Sequence, residues 1–303
     1  MSVGQKVIVT VGAFVITFVT ICTVFKDDIS FILTSRSIER KYGEVAENSY
    51  YIEDNFQYVD DYNKAVVHSK EEIINSIYYL INTGTTYSKR YCAKDYSSCY
   101  DDMLAISEDA NLLSILNNYV HPFNSFDSII FNFDNDVIEI EIRHTYSKSE
   151  ISEINTRVDA IINEVITGNM SVRDQIKAIH DYIINNTKYD TLKSDNVKDT
   201  TYRSNTAYGV LIEEYGICSG YSDTMKVFLD KLNIINYKVS NDQHIWNLVL
   251  LDGGWYHLDL TWDDPISEVN ITRDNYFLIK YDMLEKLNDG QHYFDYNVFM
   301  EAK

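Results

Sequence analysis

The chain has four cysteines, and one of them stands apart. Cys22 lies in an apolar run near the N-terminus. Cys92 and Cys99 enclose a polar loop, CAKDYSSC, and are expected to pair outside the cytoplasm. No histidine or second cysteine pair lies near them at zinc spacing. That leaves Cys218, set between Gly216 and Gly220 and followed by a helical pattern through Met225, Phe228, Leu229 and Leu232. A thiol at a helix N-terminus meets unpaired N–H groups and the positive end of the dipole, which favour a thiolate. The glycines let the backbone turn tightly and a substrate approach. Taken alone, the segment fits a buried structural cysteine better than a nucleophile.

Residues 244–251 (HIWNLVLL) and 255–260 (WYHLDL) change that balance. They read as two strands joined by Asp252-Gly253-Gly254. Asp-Gly is a preferred pair for a two-residue type I′ hairpin loop. With Asp252 and Gly253 as the loop, Leu251 faces Gly254. Trp246 then stands opposite Asp259, and His244 is its diagonal neighbour on the same face. An unbulged three-residue loop would put His244 and Asp259 on opposite faces. Cys218, His244 and Asp259 are therefore the candidate nucleophile, base and orienting acid. His257 is the rival base, but side chains along one strand diverge rather than meet. His180, beside an apolar helix face, reads as a satisfied core histidine.

The elements that must position these residues are partly visible. Ser69 and Glu72 form a capping box ahead of the stripe Ile73, Ile74, Ile77, Leu80 and Ile81. A second helix is predicted over about 100–119. Two strands, 128–133 and 137–146, flank Asp134-Asn135-Asp136, and Ile138, Ile140 and Ile142 alternate with Glu139, Glu141 and Arg143. Helices are predicted over about 148–166 and from Ser171, then a polar loop over 187–205. Residues 26–68 read as a stalk or irregular lead-in. Trp246, Trp255 and Trp262 read first as hairpin core and second as pocket wall. Asp263-Asp264 reads as a solvated turn before Pro265, without calcium-loop spacing.

A formal charge of −20 argues against nucleic acid and anionic membrane surfaces as partners, because both are bound through Lys and Arg. Residues 7–25 contain no charge and, as a helix, would span roughly 28 Å, enough for a membrane anchor. A cleaved signal peptide fits less well, since no small-x-small site follows the run. Lys26, Arg36, Arg40 and Lys41 would place the body inside by the positive-inside rule. The absence of a second span and the cysteine pattern favour outside. Oligomeric state is left open.

The run GICSGY, then HIWNLVLLDGGWYHLDLTWDDP, resembles the bacterial transglutaminase-like superfamily, whose core is related to papain-like cysteine proteases. KAIHDYIINNTKYD and the lead-in from about residue 137 are similar to what precedes that core. The resemblance covers roughly 137–280, and residues 1–136 carry none. Position by position, Cys218 matches the family nucleophile, His244 the base and Asp259 the acid, with none substituted. The resemblance implies an α+β fold, a papain-like transglutaminase core in which the Cys helix packs on an antiparallel sheet carrying His and Asp. An α/β N-terminal region and one transmembrane helix would precede it. The expected division is a tail (1–6), an anchor (7–25), the lead-in (26–68), an α/β region of unknown role (69–136) and a transglutaminase-like domain (137–303). The implied activity is thiol-based acyl transfer on protein or cell-wall peptide amides, with no cofactor. A cysteine protease or amidase on the same triad, and a non-catalytic binding module, stay open. The Cys218 N–H is the first choice of oxyanion donor, with a side chain near Asn205 or Tyr208 the second.

Overall fold

The computed structural model describes residues 48–264 and 273–303. The apolar run 7–25, read as an anchor, lies outside the described residues. Among the described residues no helix is long and apolar enough to cross a membrane.

The described part of the lead-in is largely irregular, as expected, yet it is no free stalk. Phe56 and Val59 are buried in the core, and Asn82 holds the Ile52 backbone through both its N–H and its C=O. Strand β1 (Val66–Val67) follows, then α1 (Lys70–Asn82), whose Ser69 cap accepts the Glu72 N–H. Strand β2 (Tyr87–Cys92) leads to α2 (Cys99–Glu108) and α3 (Ala110–Tyr119). The single helix predicted over 100–119 is thus two. Asp109 breaks it, because its carboxylate accepts the Leu112 N–H and caps the second. Cys92 and Cys99 form a buried disulfide between β2 and α2.

Strands β3 (Phe126–Asp134) and β4 (Val137–His144) form the expected hairpin, with Asn135 at φ 52 in its turn. Ile138, Ile140 and Ile142 are buried while Glu141 and Arg143 are exposed. The sheet order is β1-β2-β4-β3. The division drawn between 136 and 137 falls inside this hairpin.

Next come α4 (Lys148–Val165), opened by a Ser147–Glu150 capping box, and α5 (Val172–Asn186), capped by Ser171. The loop after α5 carries β5 (Lys188–Tyr189) and α6 (Thr191–Asp195); β5 pairs in parallel with β6 (Tyr215–Gly216). Helix α7 (Cys218–Lys231) then packs on an antiparallel sheet of β7 (Asn236–Ser240), β8 (Ile245–Leu251) and β9 (Gly254–Leu258). Two short helices complete the set, α8 (Leu260–Asp263) and α9 (Tyr281–Leu287). The architecture is α+β, as expected.

The second sheet is covered on both faces. Trp246 and Leu248 of β8 join the cluster under the first sheet, while Val249 and Leu251 join the one formed with α4, α5 and α7. This is why β8 reads as a nearly continuous apolar run instead of an alternating one.

Candidate active site

Cys218 is the first residue of α7, at the helix terminus the sequence suggested, and it is half-buried. The turn before it is pinned from one side. The Ile217 N–H donates to Ser204 O at 2.9 Å, and a Cβ at Gly220 would lie 2.1 Å from that same oxygen. Gly220 is therefore required by the approach of the Ser204 backbone, a reason other than the substrate access expected of it. Helix α7 is tied to the sheet through its buried face. Asp223 Oδ1 accepts from Lys238 on β7 at 2.5 Å, and Asn247 on β8 donates to Ser222 O at 2.9 Å.

The hairpin has the predicted register. Leu251 pairs with Gly254, and the ladder runs on to Asn247 opposite Leu258. Both loop residues have positive φ, 51° at Asp252 and 74° at Gly253, as a type I′ turn requires. His244 precedes β8 and Asp259 follows β9, so both lie just past the last paired residues. There His244 Nε2 meets Asp259 Oδ2 at 2.5 Å. The other carboxylate oxygen accepts from the Thr261 and Trp262 N–H groups at 2.8 and 3.2 Å, which makes Asp259 the cap of α8.

The electrostatics follow from that packing. Burial disfavours a charged His244, but the Asp259 charge and hydrogen bonds to Asp259 and Cys218 outweigh it and raise the imidazole to about 10. Burial would likewise raise Asp259, yet the His244 charge and the bonds from His244 and His292 hold its carboxyl well below the usual range. With Nε2 occupied by Asp259, Nδ1 is the nitrogen left for the Cys218 thiol. Cys218 and His244 line one cavity of about 430 Å³, together with Tyr189, Gln243, Trp262 and Asp264. A larger cavity, about 640 Å³ and lined by Tyr50, His121 and Asp230, contains none of the three candidate residues.

The remaining sequence readings sort themselves by contact. His257 is structural: its Nδ1 accepts from Trp246 Nε1 at 3.0 Å, and its Nε2 donates to Ala302 O at 2.9 Å. His180 is fully buried, as expected of a core histidine, with Asp181 at 2.9 Å and Asp263 at 3.2 Å. Only Trp262 of the three tryptophans lines the cavity; Trp246 lies beneath His244, and Trp255 packs on Tyr237. Asp263-Asp264 is not a solvated turn. Asp263 is completely buried between His180 and the Tyr276 N–H, and Asp264 accepts from the Tyr221 hydroxyl at 2.5 Å. Burial raises Asp264 to about 6. Neither Asn205 nor Tyr208 lines the cavity with Cys218, and the Tyr208 hydroxyl lies by Glu153, 3.4 Å away.

One residue was missed by sequence reasoning. His292 Nε2 lies 2.8 Å from Asp259 Oδ2, the oxygen that also bonds His244, and His292 Nδ1 lies 2.8 Å from Asp289. The only local signal is an Asp three residues ahead of the His in a Gly-containing turn. Among the described residues, His244, Asp259 and His292 also have the composition of a transition-metal site, with ligand atoms within 4.8 Å of one another. Two ligands on one tetrahedral zinc stand about 3.4 Å apart. Separations of 2.5 and 2.8 Å are those of hydrogen bonds.

A family model described as the transglutaminase-like superfamily matches residues 159–260, the stretch that contains all three candidate residues. A solved structure described as the crystal structure of a TGase is similar at 19% identity and a TM-score of 0.35, over 49% of this chain and 47% of that one. The chain thus spans about half the length of that structure. No curated protein matches. Residues 159–260, about a third of the chain, are thus similar to the transglutaminase-like superfamily, as the sequence resemblance implied.

Proposed function

We propose that the protein is a thiol-dependent acyltransferase, with Cys218 as nucleophile, His244 as base and Asp259 as the acid that orients it. The observation that carries this reading is the placement of His244, bonded to Asp259 on one nitrogen and lining one cavity with Cys218. His244 takes the Cys218 proton, and the sulfur attacks the carbonyl carbon of a protein or peptide amide. The C–N bond breaks, His244 returns the proton to the departing nitrogen, and a thioester remains. An incoming amine then takes the acyl group and frees the thiol; water in its place gives hydrolysis, as in a cysteine protease or amidase. The Cys218 N–H, unpaired by the helix itself at the start of α7, is the first choice of oxyanion donor.

The site is further proposed to work outside a membrane, anchored through residues 7–25. The Cys92–Cys99 disulfide supports this, because such bonds persist in oxidising compartments.

Iodoacetamide labelling tests the reading directly. Near neutral pH, Cys218 is expected to react, and His244→Ala to slow the reaction by about tenfold or more. Equal rates in the two proteins would remove the triad. A fluorescent primary amine offered with a Gln-containing peptide then separates transfer, which yields a covalent adduct, from hydrolysis, which yields Glu without adduct.

A further inference from the structure

The Asp259 carboxylate is held from two sides, and the second side is not explained by a nucleophile–base–acid triad. Its Oδ2 receives His244 Nε2 at 2.5 Å and His292 Nε2 at 2.8 Å. The far nitrogen of His292 lies 2.8 Å from Asp289 Oδ2, which in turn accepts the Tyr276 hydroxyl at 2.9 Å. Asp289 is itself fixed by the Gln291 and His292 N–H groups through Oδ1, at 2.9 and 3.1 Å.

Aromatic rings enclose the His292 imidazole. Tyr276 stacks on it at 4.8 Å and 18°, and Trp246 and Trp262 meet it edge-on at 4.8 and 5.3 Å. A ring placed between two carboxylates is fully satisfied only when both its nitrogens donate. Aromatic rings packed on it at these distances restrict its rotation.

We infer that His292 is a positioning residue for Asp259, clamping Oδ2 where His244 needs it. The inference rests on the triad reading above. Its physical content is a rotation held in check. Thr261 and Trp262 fix Oδ1 through backbone N–H groups, and His292 fixes Oδ2, so the carboxylate cannot swing away from His244. The groups that face His292 are Asp259, Asp289, His244 and Tyr276, with His257 on the other side of Trp246.

The test is the pH profile of Cys218 alkylation in wild type, His292→Ala, His292→Gln and His244→Ala, with urea midpoints recorded for each. The Gln amide can still donate towards Asp259. His292→Ala is expected to move the acid limb up by about one pH unit, which is about tenfold in rate on that limb. The rates should converge at high pH, where the thiol ionises unaided, and Gln should recover most of the loss. Superimposable profiles for wild type and His292→Ala would overturn the inference, whatever the urea midpoints show. So would a downward shift, which would make His292 only a cation competing with His244 for Asp259. If His244→Ala also leaves the profile unchanged, the triad itself fails. If His244→Ala slows labelling and His292→Ala does not, only the clamp is lost.

Discussion

Three buried histidines share the space around Asp259, and their contacts separate their roles. His244 faces the cavity, His292 backs the carboxylate, and His257 bridges Trp246 to the C-terminal segment. The Trp246 N–H needs a bare nitrogen on His257, so protonation there breaks a buried hydrogen bond. Burial lowers His257 to about 4. For a group whose folded value lies below its unfolded one, the unfolded state binds more protons as pH falls from about 6.5 to 4. Stability is therefore lost over that window, by roughly 3 kcal/mol for this one group. His244 acts at the other end: its contribution is complete below about pH 6.5 and is lost as pH rises towards 10. Asp264, raised to about 6, opposes His257 on the acid side, so the comparison must be differential. Between pH 7 and 4.5 the urea midpoint of wild type should fall further than that of His257→Gln, whose amide can both accept and donate. Parallel midpoints would show that His257 titrates normally. His257 was legible in the sequence as the weaker base because adjacent side chains on a strand diverge. Its structural bond to Ala302 was not, since that partner lies 45 residues away.

At the scale of elements, the hairpin loop determines whether a base and an acid meet. Side chains alternate with a period of two, so one added residue would carry Asp259 to the other face of the sheet. One Gly inserted between Gly253 and Gly254 should slow Cys218 alkylation about as much as His244→Ala, near tenfold or more. Gly253→Ala keeps the register and meets no atom within 4 Å, so its cost is confined to the backbone at φ 74°. It should lower stability by about 1 kcal/mol and leave alkylation unchanged. Alkylation that survives the insertion would show that the register is set by the sheet's covered faces instead of by the loop. The loop, the strand alternation and the helix that begins at Cys218 are all local, and all were readable. The break in the 100–119 helix was also encoded locally, in an Asp that can cap, but uninterrupted apolar spacing through Leu104, Leu112 and Leu116 masked it.

At the scale of the whole molecule, the two sheets share a core through β8, whose Trp246 and Leu248 sit with α1, α3 and β4 residues. The disulfide closes a short loop in that same core, seven residues apart in sequence. Closing a loop of this length stabilises by about 2–3 kcal/mol in the chain-entropy account. Reduction should therefore lower the urea midpoint while leaving the alkylation rate of Cys218 intact. In cells, thiol trapping reports the compartment as well: Cys92 and Cys99 should be found oxidised if the body lies outside the membrane. Finding both reduced would place it inside, in line with the basic residues that follow the apolar run.

The amino-acid sequence by itself determined the three residues that carry the proposed chemistry. Cys218 is marked by a helix start, and His244 and Asp259 are joined by a hairpin whose register its own turn residues encode. These are short-range relations, written in periodicity and backbone preference. Tertiary structure alone decided the burial of Asp263, the separation of the tryptophans and the clamp of His292 on Asp259. His292 lies 33 residues beyond its partner, across a path that no local period encodes. Its place is set by where the chain can pack against Trp246, Trp262 and Tyr276. Contacts of that kind come from filling a core, and a one-dimensional pattern does not contain them.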